Sequence, residues 1–267
     1  MSRITCFMSF STFLNDYECI SAPFDITIRF SGYRNVDMWN FPDVIYTDWL
    51  FYWNETPGAE IHYQGTVYAL KPDMVALIPP YTVFSTRAKQ SFRQFYLHFH
   101  APFPYDSGKR GIYIFPAEAV QRMQHQMTGK ATIHTSAIAL RLMLYHYLCQ
   151  IPEEDLTSEN HGIPPGIRRA AEWISRNRNK TVTNVEIARY AGIPVNSFYR
   201  EFQAALGMTP KEYRQTQRLE YTRQLLLSDP EMSIEEIAEL GGYSDRFQFS
   251  KAFRKNYGIA PAAYRKR

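Results

Sequence analysis

The C-terminal part of this chain carries one pattern twice. The first copy runs Ile187-Ala188, Gly192, Phe198, Arg200, Phe202, Gly207, Pro210, Tyr213-Arg214. The second runs Ile237-Ala238, Gly242, Phe249, Lys251, Phe253, Gly258, Pro261, Tyr264-Arg265. The offset is 50 residues up to the glycine and 51 beyond it, so one residue has been added between Gly242 and Phe249. Apolar, glycine, proline and basic positions held in register over this length imply two copies of one supersecondary unit.

Each copy reads as helix, tight turn, helix. Thr183-x-x-Glu186 and Ser233-x-x-Glu236 are capping boxes placed just before the Ile-Ala pairs, and each marks a helix start. Gly192 and Gly242 accept the left-handed backbone that a sharp turn requires. In the second helix, Phe198 and Phe202, or Phe249 and Phe253, stand four apart and define a buried stripe. The opposite face offers Asn196, Ser197, Tyr199, Arg200 and Gln203 in copy one. Copy two offers Arg246, Gln248, Lys251, Arg254 and Lys255. Polar groups that fork onto base edges, beside cations for phosphate, suit a helix in a major groove of double-stranded DNA. A helical pair of this kind also occurs in many all-α domains, so the doubling and the charge carry the reading.

The charge is segregated. From Pro165 to Arg267 there are 18 Lys and Arg against 11 Asp and Glu, whereas the remainder of the chain has an acidic excess. After Asp245 come seven cations and no acid. Such a split fits one domain that displaces counterions from a polyanion and one that does not.

The run Ile237-Ala238-x3-Gly242-Tyr243-Ser244-Asp245-x3-Phe249-Ser250-Lys251-x-Phe253-Arg254-Lys255, closing in Gly258-x-x-Pro261-x-x-Tyr264-Arg265, resembles the AraC/XylS family of bacterial transcription regulators. The resemblance implies two helix-turn-helix units joined by a long helix, here about Pro210 to Leu227. It implies base contacts from Asn196, Tyr199 and Arg200, and from Arg246, Phe247, Gln248 and Lys251. Copy one departs from the family pattern: Ile193-Pro194 replaces an aromatic-serine pair, so the serine cap of that helix is missing.

From about Phe24 to Phe115 the chain reads as β. Short runs rich in Val, Ile, Tyr, Phe and Thr are separated by turn signals such as Thr56-Pro57-Gly58, Gln64-Gly65 and Pro79-Pro80. The pattern from Tyr63-x-Gly65 to Pro79-Pro80, then Phe95-x-Leu97-x-Phe99, resembles the cupin-like effector domain common in that family. The fold expected is therefore α+β and multidomain: a cupin-like barrel or sandwich, then helices, then an all-α domain. Aromatic faces with polar tips suit sugar rings, so a small-molecule effector, carbohydrate in class, is expected inside the barrel. The candidate ligand residues are Arg34, Trp49, Trp53, Tyr81, Tyr96 and His98. For any one of these aromatics, simple filling of the barrel is the competing reading.

A cupin can also be a metal-dependent enzyme with an appended nucleic-acid module, and that is the rival function. His98 and His100 share a strand face, as metal ligands do. No Glu follows at the required spacing, and Phe84 stands where such domains often carry histidine. No cofactor, metal site or catalytic residue is expected, and the chain is read as no enzyme. Ile133, Ala137, Leu140, Leu144, Tyr147 and Leu148 form a helical stripe that could pack on the barrel or against its copy in a second subunit. The family resemblance implies the second, so 116–150 is read as a dimerising helical segment. The domain boundaries expected are 1–115 effector domain with an N-terminal arm, 116–150 helices, 151–166 linker and 167–267 DNA-binding domain. Cys6, Cys19 and Cys149 lack metal or redox spacing, which suits a cytoplasmic protein. The partners implied are duplex DNA, an effector, a second copy of the chain, and RNA polymerase if the regulator is an activator; no stretch is long enough to span a membrane.

Overall fold

The computed structural model describes residues 24–127, 133–157, 163–180 and 182–266. Cys6, Cys19 and the expected N-terminal arm lie outside the described residues. Nine strands form two antiparallel sheets among the described residues. They are β1 (Thr27–Val36), β2 (Phe41–Val44), β3 (Trp49–Asn54), β4 (Ala59–Tyr63), β5 (Thr66–Leu70), β6 (Met74–Ile78), β7 (Phe84–Ala88), β8 (Phe92–His100) and β9 (Tyr113–Pro116). One sheet has the order β1-β8-β3-β6-β9 and the other β2-β7-β4-β5. The Gln64-Gly65 turn links β4 to β5 with both residues at positive φ, 47° and 80°, which matches the twist of a two-residue hairpin.

Strand β3 shows why period-two reasoning fails in the centre of this domain. All six of its residues are buried. Leu50 and Tyr52 face the interior between the sheets, where they join Trp39, Phe41, Ile61, Phe84, Phe92 and Tyr96. Trp49, Phe51 and Trp53 face outward, where two helices cover them: α1 (Glu118–Met127) and α2 (Ile133–Leu148). Met123, Leu144, Tyr147 and Leu148 supply that cover. A strand coated on both faces reads as a continuous apolar run.

The segment expected to be a linker is partly structured. Ile151 and Leu156 pack into the core beneath α2, and a short helix α3 (Glu153–Thr157) follows. The Lys109 amide donates to the Asp155 carbonyl at 2.7 Å, and Tyr113 donates its hydroxyl to the Asp155 carboxylate at 3.1 Å. These contacts tie residues 151–157 of the expected linker 151–166 to the sandwich and to α2.

The remainder is helical: α4 (Pro165–Arg176), α5 (Asn184–Ala191), α6 (Val195–Leu206), α7 (Pro210–Ser228), α8 (Ile234–Leu240), α9 (Arg246–Tyr257) and α10 (Pro261–Arg265). Ile167, Ile174, Ile187, Phe198, Phe202 and Tyr213 form one core, into which Ile45 and Tyr81 of the sandwich also pack. Leu219, Ile237, Phe249, Phe253, Tyr257 and Tyr264 form another, continuous with the sandwich interior. The Phe41 and Tyr257 rings meet edge to face at 5.0 Å across that junction. The open end of the sandwich is thus stoppered by the second helical unit.

Candidate nucleic-acid interface

Each reading helix is aimed by a capped helix in front of it. The Thr183 hydroxyl accepts from the Glu186 amide at 3.2 Å, and the Glu186 carboxylate accepts from the Thr183 amide at 2.7 Å. Ser233 and Glu236 repeat the exchange at 3.1 and 2.7 Å. Both boxes satisfy amides that a helix start leaves without partners. Gly192 then turns the chain at φ 69°. Gly242 turns the second copy at φ 75°, and a β-carbon there would stand 2.6 Å from the Asn179 backbone. The second turn therefore sits directly on the α4–α5 connection of the first unit.

Phe198 and Phe202 of α6 are buried with ring centroids 5.5 Å apart, and Phe249 and Phe253 of α9 repeat that distance. Burying those stripes leaves the opposite faces bare. On α6, Asn196, Tyr199, Arg200 and Gln203 are exposed. Ser197 is half-buried, and its hydroxyl donates to the Pro194 carbonyl at 3.1 Å. On α9, Arg246, Phe247, Gln248, Lys251, Arg254 and Lys255 are all exposed, Phe247 to 71%. Arg246 lies over the Phe247 ring at 4.9 Å and reaches Glu235 at 3.8 Å.

The two helices differ at their starts and in their charge. Asp245 caps α9 by accepting from the Phe247 and Gln248 amides at 2.8 and 2.7 Å, whereas Pro194 begins α6 with no side-chain cap. Serine is thus not the cap in either copy; in the second, Ser244 donates to Asp245 at 3.0 Å instead. On α6 the charges are Arg200 and Glu201; α9 has four cations and no acid. Between the two runs α7, whose 19 residues extend about 28 Å at 1.5 Å each. It begins in a third capping box, Thr209 with Glu212, which the sequence analysis did not single out. Arg178 stacks on Tyr221 of α7 at 3.7 Å, and Arg218 of α7 donates to the Lys180 carbonyl at 3.2 Å. The first unit is thereby stapled to the connecting helix.

A family model described as a helix-turn-helix domain matches residues 187–267. LumQ of Photobacterium leiognathi, a probable transcriptional regulator, is 30% identical over 92 residues, covering 34% of this chain and 37% of that protein. The transcriptional activator RhaS of Pectobacterium carotovorum is 30% identical over 156 residues, covering 56% of this chain and 55% of that one. The chain therefore spans about half or less of the length of these curated relatives. Solved ToxT from Vibrio cholerae matches in fold with a TM-score of 0.69 at 11% identity, over 90% of this chain and 98% of that one. Two doubled, capped units with this signature decide the relationship. The C-terminal part of the chain, residues 187–267, is similar to the helix-turn-helix domains of transcriptional regulators such as LumQ and RhaS. Its matched relatives are named as regulators of transcription and not as enzymes.

The six residues expected to line an effector site do not gather in one place. Trp49 and Trp53 point out of the sandwich, donating their indole N–H groups to the Tyr105 and Pro72 carbonyls at 3.0 and 2.9 Å. Tyr81, at φ 62°, packs into the first helical core. These three are corrected: strand direction and helix cover remove them from the interior. Tyr96 does face inward, with Arg34 over its ring at 5.4 Å, but aromatic packing fills the space around it. His98 also faces inward and is buried. Burial pushes its imidazole down to about 4, Glu220 pulling upward and Arg223 adding to the depression. The described residues hold no group of three His, Cys, Asp or Glu placed to bind a metal.

What the sequence analysis missed is the seam between the domains. Glu220, Arg223 and Gln224 interrupt the apolar face of α7 and are turned toward the sandwich. Arg223 donates to the Glu220 carboxylate at 2.8 Å, as does Gln224. Burial alone would raise the Glu220 carboxyl, but Arg223 holds it below the usual carboxylate range. A polar run inside an otherwise apolar stripe was the available signal.

Proposed function

We propose that this chain is a sequence-specific DNA-binding regulator of transcription, whose helices α6 and α9 enter successive major-groove segments on one face of a duplex. One observation carries the reading. Both second helices bury an aromatic stripe and leave a polar face exposed, cationic on α9, with the sandwich docked elsewhere. For α6 the base-reading set is Asn196, Tyr199, Arg200 and Gln203, with Ser197 at its margin. For α9 it is Arg246, Phe247, Gln248 and Lys251, with Arg254 and Lys255 on phosphate. Site selection from randomised duplex, followed by gel shift of the full chain at fixed salt, tests this directly. A bound consensus is expected, and its loss in an Arg200→Ala, Lys251→Ala double variant. Unchanged binding by that variant overturns the helix assignment.

The regulator acts in the cytoplasm as a homodimer and answers a small-molecule effector; as an activator it would also meet RNA polymerase. Support for dimerisation lies on α2, where Ile138 and Leu142 are 59% and 63% exposed beside Ala119 and Met123 of α1. Exposed apolar neighbours of this kind mark an association surface. Sedimentation of Leu142→Lys against wild type tests it: a fall to monomer is expected, and an unchanged mass rejects the face. No helix among the described residues is long and apolar enough to cross a membrane.

A further inference from the structure

A cavity lies at the seam between the sandwich and the helical units. Its volume is about 560 Å³, within the roughly 300–1,000 Å³ of small-molecule sites. Strands β1 and β8 and the β2–β3 connection form its floor through Phe30, Tyr46, Asp48 and His98. Helices α4 and α7 form its roof, Gln224 and Glu220 among the lining residues.

The four carboxylates that line this cavity already have cationic partners, whereas Arg178 donates to the Ser175 carbonyl and stacks on Tyr221 without an acid beside it. Asp48 meets Arg29 at 3.3 Å, Asp106 meets Arg168 at 3.0 Å, Glu172 meets Arg176 at 3.8 Å, and Glu220 is held by Arg223. A cationic ligand would have to displace an arginine from one of these carboxylates, and an anionic one would face the four carboxylates lining the same space. Hydrogen-bonding capacity, by contrast, remains. Asp48 is 7% exposed, and its Oδ1 accepts no directed hydrogen bond despite the nearby arginine. His98, neutral in this setting, offers one donor and one acceptor. The Gln224 amide spends one of its two N–H donors on Glu220 and keeps its carbonyl. Phe30 and Tyr46 present ring faces around His98, at 5.9 and 5.0 Å from it.

We infer that this seam cavity binds an uncharged, hydroxyl-rich small molecule, held by Asp48 and His98 from the sandwich and Gln224 from α7. This rests on the proposed regulator reading, since it places the effector of that regulator. Hydroxyl donors meet the Asp48 carboxylate, and C–H faces lie against the rings. Because both domains contribute, occupancy ties α7, and with it both reading helices, to the sandwich. A ligand that binds one domain arrangement better than another shifts DNA affinity, and DNA shifts ligand affinity by the same factor.

The test is calorimetric titration of the full chain against glucose, galactose, arabinose and myo-inositol, with glucuronate and glucosamine as charged counterparts. At least one neutral member is expected to bind. Asp48→Asn and His98→Phe are expected to weaken it tenfold or more, the second keeping ring volume so that the fold survives. Unfolding curves without ligand verify that both variants are folded. Silence from every neutral member, preferential binding of a charged one, or binding untouched by both folded variants overturns the assignment. Gel shift of the same preparations without ligand keeps the DNA-binding reading separate: it can stand while the cavity fails, and the reverse.

Discussion

Arg110 of the sandwich donates its guanidinium Nη1 to the Ala205 carbonyl at 2.7 Å, closing the C-terminal end of α6. The last carbonyls of a helix lack intrahelical partners and form the negative end of its dipole, so a cation there is doubly suited. The sandwich therefore grips α6 by its far end. Arg110→Ala is expected to cost about 1 kcal/mol at this half-buried site. Hydrogen exchange should accelerate at the end of α6 and leave α9 unchanged. Equal protection of α6 in both proteins would show that the Arg110 hydrogen bond holds nothing.

The uneven charge of the two reading helices predicts different salt behaviour. On α6 a lone arginine is offset by Glu201, whereas α9 carries Arg246, Lys251, Arg254 and Lys255 without an acid. Removing one cation that neutralises a phosphate lowers the slope of log affinity against log salt by about 1. Arg254→Ala is expected to weaken binding to all sequences and reduce that slope. Arg200→Ala is expected to cost about 1–3 kcal/mol on the selected site and much less on random DNA. Gel shifts at several salt concentrations, on both DNAs, separate the outcomes; identical behaviour of the two variants would reject this division.

Beneath the mouth of the sandwich, Glu220 and Arg223 depend on each other. Both are buried by the domain junction, and Arg223 also lies over the Phe41 ring at 5.5 Å and donates to Tyr264 at 3.3 Å. Removing one partner strands a charge in an apolar setting, at a cost of about 3–5 kcal/mol. Replacing both by apolar residues of similar size is close to neutral by the same reasoning. Chemical denaturation should thus show Arg223→Met far less stable than the Glu220→Leu, Arg223→Met double variant. A double variant as unstable as the single one would mean the pair is worth more than its desolvation.

The helical half was legible because its signals are local. Capping boxes, turn glycines and phenylalanines four apart each act within a few residues, so Thr183, Gly192, Phe198 and Phe202 announce their own geometry. The sandwich was legible as strands but not as faces. Trp49 and Trp53 read as ligand residues because they are large aromatics on an inferred strand. Which face of β3 meets the interior depends on where α1 and α2 dock, and that is a long-range fact. The seam was hidden for the same reason. Asp48, His98 and Gln224 lie far apart in the chain, and only packing of α7 over the open end brings them together.

Acidification should loosen this same junction, through His98. Its folded pKa of about 4 lies below the ordinary value of 6.5, because burial disfavours the charged ring. The unfolded chain therefore binds the proton more readily, and stability rises with pH through this interval. The contribution is complete above about pH 6.5 and is lost as pH falls toward 4, amounting to roughly 3 kcal/mol. Other groups at the seam act differently. The Asp48 carboxyl, raised by burial, gains its proton early and opposes the trend; Glu220, held low by Arg223, adds to it only below the usual carboxylate range. Subtracting His98→Phe from wild type isolates the imidazole. The midpoint of unfolding in wild type should drop between pH 6.5 and 4.5 more steeply than in His98→Phe. Parallel curves across that window would mean that His98 is free to protonate in the folded chain, and that the seam is open to water.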